Sequence, residues 1–180
     1  MEFEQLIRMR WSVRAYKRDP IPDEVLAKVL EAARLAPTAA NRQAFRILII
    51  PTPGREQDLK RIYARPWFTQ APVVIAVCAL TDRCWVRGDG KSYGEVDAAI
   101  VMDHLILAAT DLGLGTCWIG AFDARAAREI LELPDFAEPV AFTPLGFPDE
   151  KAGEKKRRAV DDLVMHWTGS SRSGFWSSSA

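Results

Sequence analysis

The sequence predicts an α+β fold: a mixed, mainly antiparallel sheet flanked by helices. Amphipathic helical segments interleave with short apolar strands along the whole chain. The strands do not each alternate with a crossover helix, as a regular parallel sheet would demand. At 180 residues the chain is one ordinary domain, with no room for two. Residues 1–168 are read as that domain, and 169–180 as a Ser/Gly-rich tail.

The elements follow in order. Glu2 to Arg10 reads as a short helix. The next begins at Pro22, a residue suited to a first helical turn. Val25, Leu26, Val29, Leu30 and Ala33 share one face of it, with Glu24, Lys28, Glu31 and Arg34 opposite, and Pro37 ends it. Phe45 to Pro51 (FRILIIP) reads as a buried strand, and Pro53 to Ala64 returns to helical spacing. In Pro72 to Leu80 (PVVIAVCAL) the residues after the proline are all apolar, which requires both faces to be covered. Thr81 to Gly94 is a polar loop, long enough to be functional or mobile. Glu95 to Leu112 is a helix apolar nearly all round. Asp97, His104 and Asp111 mark one narrow wet stripe on it, so it belongs in the middle of the fold or at a subunit interface. Gly115 to Phe122 reads as a strand, Asp123 to Leu133 as a capped helix, and Pro139 to Pro148 as the last strand. A basic cluster, Lys155 to Arg158, precedes a short apolar run and the tail. In that tail Ser/Gly content favours mobility, while Phe175 and Trp176 suggest docking.

Composition removes several function classes. Lys plus Arg and Asp plus Glu both total 24, and this neutrality argues against a nucleic-acid coat or a polybasic membrane anchor. Cys78, Cys84 and Cys117 form no CxxC pair, which favours a reducing cytoplasm over a secreted disulfide scaffold. The charged N-terminus lacks the apolar core of a signal peptide. The longest apolar stretch, near Ala98 to Leu112, is too interrupted to span a membrane.

Protein-borne catalysis is equally poorly supported. A dinucleotide fingerprint starting at Gly113 and Gly115 fails at Trp118, and it runs helix to strand, the reverse of the required order. There is no GxxxxGK[ST], HExxH or GxSxG. Two histidines and no spaced cysteine pair disfavour a structural metal. His104 reads as a histidine paired within its helix, and Cys84 as an inert thiol. Any hard chemistry then falls to a bound cofactor.

Three polar clusters remain. In RWSVR, Arg10, Ser12 and Arg14 alternate around Trp11, so in extended chain they point one way, two guanidiniums and a hydroxyl suited to an anionic oxygen. In PTAANRQAF, Pro37, Thr38, Asn41 and Gln43 occupy a helix-to-strand loop whose amides can hydrogen-bond a planar heterocycle. GLGTCWIG offers backbone N–H groups beside glycines, and KKRR adds a second basic patch.

Together and in this order they resemble the FMN-dependent nitroreductase family, from Arg10 to about His166. RWSVR matches the family's R-x-S-x-[RK]. Pro37 to Ala44 matches P-S-x-x-N-x-Q-P, with Thr38 for serine and Ala44 for the final proline. Asp97 through Gly120 matches D…L-A-A…G-L-G-T-x-W-I-G, Pro144 to Pro148 matches P-L-G-x-P, and Lys155 and Arg157 match K-x-R. The chain is short for the family and lacks a long insertion after the second helical region.

The resemblance implies a homodimer with two FMN sites at the subunit interface, burying the helix Glu95 to Leu112, with the tail flexible or wrapping the partner. Arg10 and Ser12, beside Trp11, would hold the FMN phosphate with Lys155 and Arg157. Arg14 would lie near the flavin N1–O2 edge, where a guanidinium stabilises negative charge. Pro37, Thr38, Ala39 and Asn41, with Gln43 in the same loop, would reach the flavin from the partner subunit. Trp118, Ile119 and Gly120 would line the isoalloxazine, with a backbone N–H near N5. The implied activity is NAD(P)H-dependent reduction of nitroaromatics, quinones or similar electron-poor acceptors, by ping-pong hydride transfer through N5 with no catalytic side chain. The alternative is a dimeric FMN protein that stores or senses the cofactor without turnover. Thr81 to Tyr93 is the expected substrate cover, with Trp85 or Tyr93 over the flavin or simply packed within the loop.

Overall fold

A computed structural model describes residues 1–167; the expected tail, 169–180, lies outside the described residues. The order is α1 (Phe3–Met9), α2 (Asp23–Arg34), β1 (Phe45–Pro51), α3 (Glu56–Ile62), β2 (Val73–Leu80), α4 (Gly94–Asp111), β3 (Gly115–Thr116), α5 (Ala124–Ile130) and β4 (Ala137–Gly146). Short 3₁₀ turns occupy Ala39–Asn41, Pro66–Thr69 and Val160–Asp162.

The strands form one sheet in the order β1-β2-β4-β3, every pairing antiparallel. A single parallel bridge, Ser12 to Thr116, adds the segment after α1 to its edge. The uninterrupted apolar run of β2 has the expected cause. Ile75, Val77 and Ala79 pack in a layer with Val29 and Ala33 of α2 and Val101, Met102 and Leu105 of α4. Val74 and Ala76 point the other way, toward Leu59 and Ile62 of α3 and Ala126 and Ala127 of α5. Each buried aliphatic side chain in these layers contributes about 1.5–3 kcal/mol relative to exposure.

Several boundaries differ from the sequence reading. Pro22 sits at the cap of α2 rather than in its first turn, and the helix ends at Arg34, before Pro37. The α3 helix is shorter than Pro53 to Ala64, because Gly54 turns the chain at φ 81° before it starts. Strand β1 is an edge, not a buried strand: it pairs with β2 alone among the described residues and exposes Arg46, Ile49 and Pro51. The long strand expected at Gly115 to Phe122 is only two residues plus a bridge from Ile119 to Phe142. The ladder breaks where the Cys117 N–H bonds the Thr143 hydroxyl at 3.0 Å instead of a backbone carbonyl. Asp97 does not lie on a wet stripe; it is 1% exposed. Asp123 caps α5 as expected, accepting from the Ala126 N–H at 2.9 Å.

Candidate functional site

The segment after α1 is sewn into the fold on both sides. Val13 donates to the Thr116 carbonyl at 2.9 Å, Lys17 to Phe147 at 2.9 Å, and Asp149 to Ala15 at 2.9 Å. Val13 and Tyr16 face inward, and the buried Tyr16 hydroxyl donates to the Val13 carbonyl at 2.7 Å. Burial, with smaller contributions from Cys117 and Glu150, drives the Tyr16 hydroxyl far above the ordinary phenol range. The alternation therefore leaves Ser12 and Arg14 on the opposite side from Val13, as extended chain requires.

The far end of the chain returns to this same place. Lys155 Nζ donates to the carbonyls of Ile7 and Arg8 at 2.7 and 2.9 Å, fastening residues 153–157 across the C-terminal end of α1. Arg10, Trp11, Ser12 and Arg14 thus share a cleft of about 240 Å³ with Lys155 and Arg157. Among the described residues, the charged side chains of Arg10, Arg14, Lys155 and Arg157 make no ion pair within 4.0 Å, although Glu154 also lines the cleft and Glu150 accepts from the Arg14 backbone N–H. The Lys155 ammonium is pushed below the usual lysine range, first by desolvation and then by repulsion from Arg10 and Arg157. Cations outnumber carboxylates in this cleft, the electrostatic condition under which an anionic group is stabilised.

The strand-end loop belongs to the same neighbourhood. Burial raises the Cys117 thiol, while Arg14, a Ser12 hydrogen bond and Arg10 pull it down, so that thiol lies against the cationic segment. Beyond it, Trp118 is 41% exposed, Ile119 is buried and Gly120 is open to solvent; none of the three lines the cleft.

The loop Pro37–Gln43 does not join the cleft within this chain. It ends α2 in an unusual backbone, with Ala40, Asn41 and Gln43 at φ 50°, 52° and 50°. The Gln43 N–H donates to Thr38 Oγ1 at 3.0 Å, and the Gln43 amide donates to Asn41 Oδ1 at 3.2 Å. The Ala39 N–H donates to Asp97 Oδ1 at 2.9 Å.

In the segment Thr81 to Tyr93, Trp85 and Tyr93 pack edge to face with centroids 4.9 Å apart, and Arg87 lies over the Tyr93 ring. Val86 and Ser92 form a bridge, so the segment is a small hairpin whose two aromatics hold each other.

Two contributors escaped the sequence reading. Glu150 accepts from the Arg14 N–H, and Asp97 holds Ala39. Glu150 carries no local signal, being fixed by a contact between the two ends of the chain. Asp97 stood inside a motif, but its helical periodicity suggested solvent.

Fold and cleft describe an α+β protein in which segments near both ends of the described residues meet at one small, cation-rich cleft. The sequence matches the model of the Nitroreductase family over residues 7–65 and 59–147, and the chain belongs to that family. It is an oxidoreductase. A nitroreductase family protein from Clostridium difficile 630 shares 34% identity and a TM-score of 0.84, covering 93% of this chain and 99% of its own. One from Clostridium novyi NT shares 30% identity and a TM-score of 0.77, covering 83% and 87%. An NADPH-dependent oxidoreductase from Staphylococcus aureus (strain USA300) is 29% identical over 178 residues, covering 89% of this chain and 71% of its own length.

Proposed function

We propose that this protein is a homodimeric, FMN-dependent NAD(P)H oxidoreductase acting on small electron-poor acceptors such as nitroaromatics or quinones. The observation that carries the reading is the set of four cationic side chains without an ion pair among the described residues, Arg10, Arg14, Lys155 and Arg157, gathered from distant parts of the chain around one small cleft. That charge fits a phosphate monoester, and a dianion there would relieve the repulsion from Arg10 and Arg157 that adds to desolvation in lowering the basicity of Lys155.

When bound, FMN supplies two-electron redox chemistry between a reduced nicotinamide and an acceptor that take turns in one pocket. The chain's own work is binding and electrostatics. Arg10, Ser12 and Arg157 would hold the phosphate. Lys155 gives two of its protons to α1 carbonyls and keeps one for the ligand. Arg14 is exposed, and its backbone N–H is held by Glu150, so its guanidinium is available for charge at the flavin ring. The exposed Trp118 indole and the backbone of Ile119 and Gly120 would line one face of the ring. Pro37, Thr38, Ala39, Asn41 and Gln43 would come from the partner subunit, since within one chain they stand outside the cleft. No side chain is assigned as acid or base.

Titration of the apoprotein with FMN tests this. Arg10→Ala and Arg157→Ala should each cost about 1.5–3 kcal/mol of cofactor affinity, the worth of a charge-assisted hydrogen bond. Wild-type affinity in both variants would overturn the phosphate assignment. The holoprotein should be yellow and lose its visible flavin absorbance anaerobically with NADH or NADPH. Colour that persists with both would instead mark a protein that stores or senses the cofactor.

A further inference from the structure

We propose that Asp97 is the positioning residue of the cofactor loop: its carboxylate grips the Ala39 N–H and keeps Pro37–Gln43 in the shape that presents Asn41 and Gln43. This rests on the flavin reading above for what the loop presents, though not for the clamp itself.

Three non-glycine residues of the loop, Ala40, Asn41 and Gln43, lie in the left-handed region. Such conformations are disfavoured for L-residues and persist where surrounding contacts over-determine them. The loop's other hydrogen bonds are internal: Asn41 N–H to the Thr38 carbonyl at 3.0 Å, Arg42 N–H to Ala39 at 3.1 Å, and Gln43 N–H to Thr38 Oγ1. Among the described residues, the Ala39–Asp97 bond of 2.9 Å is the hydrogen bond that fastens Pro37–Gln43 to another element.

Stability alone does not explain a carboxylate here. Asp97 is 1% exposed, and its buried Oδ2 has no hydrogen-bond partner among the described residues. A buried, half-satisfied carboxylate costs folding free energy that an apolar side chain on α4 would not. Its return is geometric. Asp97 sits in the first turn of α4, the longest helix among the described residues, and its own N–H donates to the Tyr93 carbonyl at 2.9 Å. Tyr93 in turn donates to Trp85, so one residue registers both the cofactor loop and the base of the Thr81–Tyr93 hairpin. With Ala39 held, the linked amides of Asn41 and Gln43 are exposed in one orientation.

The test compares Asp97→Ala, which removes the acceptor, with Asp97→Asn, which keeps an acceptor oxygen while removing the charge. The readouts are FMN dissociation constant, deuterium exchange at the Ala39 amide and melting temperature. Asp97→Ala should weaken FMN about tenfold and lose Ala39 protection, while Asp97→Asn keeps both within about threefold of wild type. Should Asp97→Ala not fold, Asp97→Leu fills the space without an acceptor and carries the same expectation. Unchanged FMN affinity and Ala39 protection in the acceptor-less variant would overturn the proposal. So would equal losses in Asp97→Asn, or a lowered melting temperature with FMN affinity intact. A wild-type protein that binds no FMN would sink the flavin reading, while Ala39 exchange would still decide the clamp.

Discussion

Three cysteines of identical intrinsic chemistry are set apart by where the chain buries them. Cys78 lies within β2, where burial and then Glu138 push its thiol up to about 11. Cys117 is raised by burial but pulled back by Arg14 and Ser12, and Cys84 lies half-buried beside Ser92. For Cys78 the sign is fixed: the unfolded chain releases its proton near 9.0, the folded one only near 11. Stability present below 9.0 is therefore lost as pH rises toward 11, because the unfolded state has shed a proton that the folded state keeps. Denaturant midpoints measured across that range should fall more steeply in wild type than in Cys78→Ala. Parallel slopes would refute the burial argument. None of this is legible in the spacing of the cysteines, which excluded a CxxC pair and no more.

At the scale of elements, the cationic segment is positioned by the close approach of β3. A Cβ added at Gly115 would lie 2.7 Å from Val13 Cγ2, so only glycine lets the two backbones bridge between Ser12 and Thr116. Gly115→Ala should displace Val13 and with it Ser12 and Arg14 on either side. The expected cost is about 1–3 kcal/mol of stability, read from the denaturant midpoint, together with weaker FMN binding. A variant with wild-type values for both would show that the segment is not held by this contact. The sequence marked Gly115 as the start of a strand but overstated the strand's length. Apolar character continues through Trp118 and Ile119, whereas pairing is broken by a side-chain hydroxyl, Thr143, far away in sequence.

For the whole molecule, large apolar side chains near both ends of the described residues stand exposed. Phe3 is 65% exposed on α1, and Val160 and Trp167 are each 70% exposed after the basic cluster. Such side chains are candidates for cover by a second copy. On the function proposed above, a second copy covering them would bring its own Pro37–Gln43 loop to the proposed FMN site. Sedimentation should give twice the chain mass of 20.1 kDa. A monomer that binds FMN at full affinity would refute the shared site. The helix α4 takes the first of the two places its nearly all-apolar sequence allows, the middle of the fold: Ala98, Val101, Met102, Leu105 and Ala109 are buried within the single chain, against α2 and the sheet.

The sequence by itself determined the class of fold, the central strand β2, the amphipathic face of α2 and the residue types of the cationic cleft. These follow from periodicity and from local side-chain chemistry, which travel with the chain. Only the tertiary structure decided that Lys155 is tied to the end of α1, that Asp97 is buried on Ala39, and that Glu150 holds Arg14. Each of these joins residues far apart in the chain, and a hydrogen bond between distant residues leaves no period in the sequence that makes it.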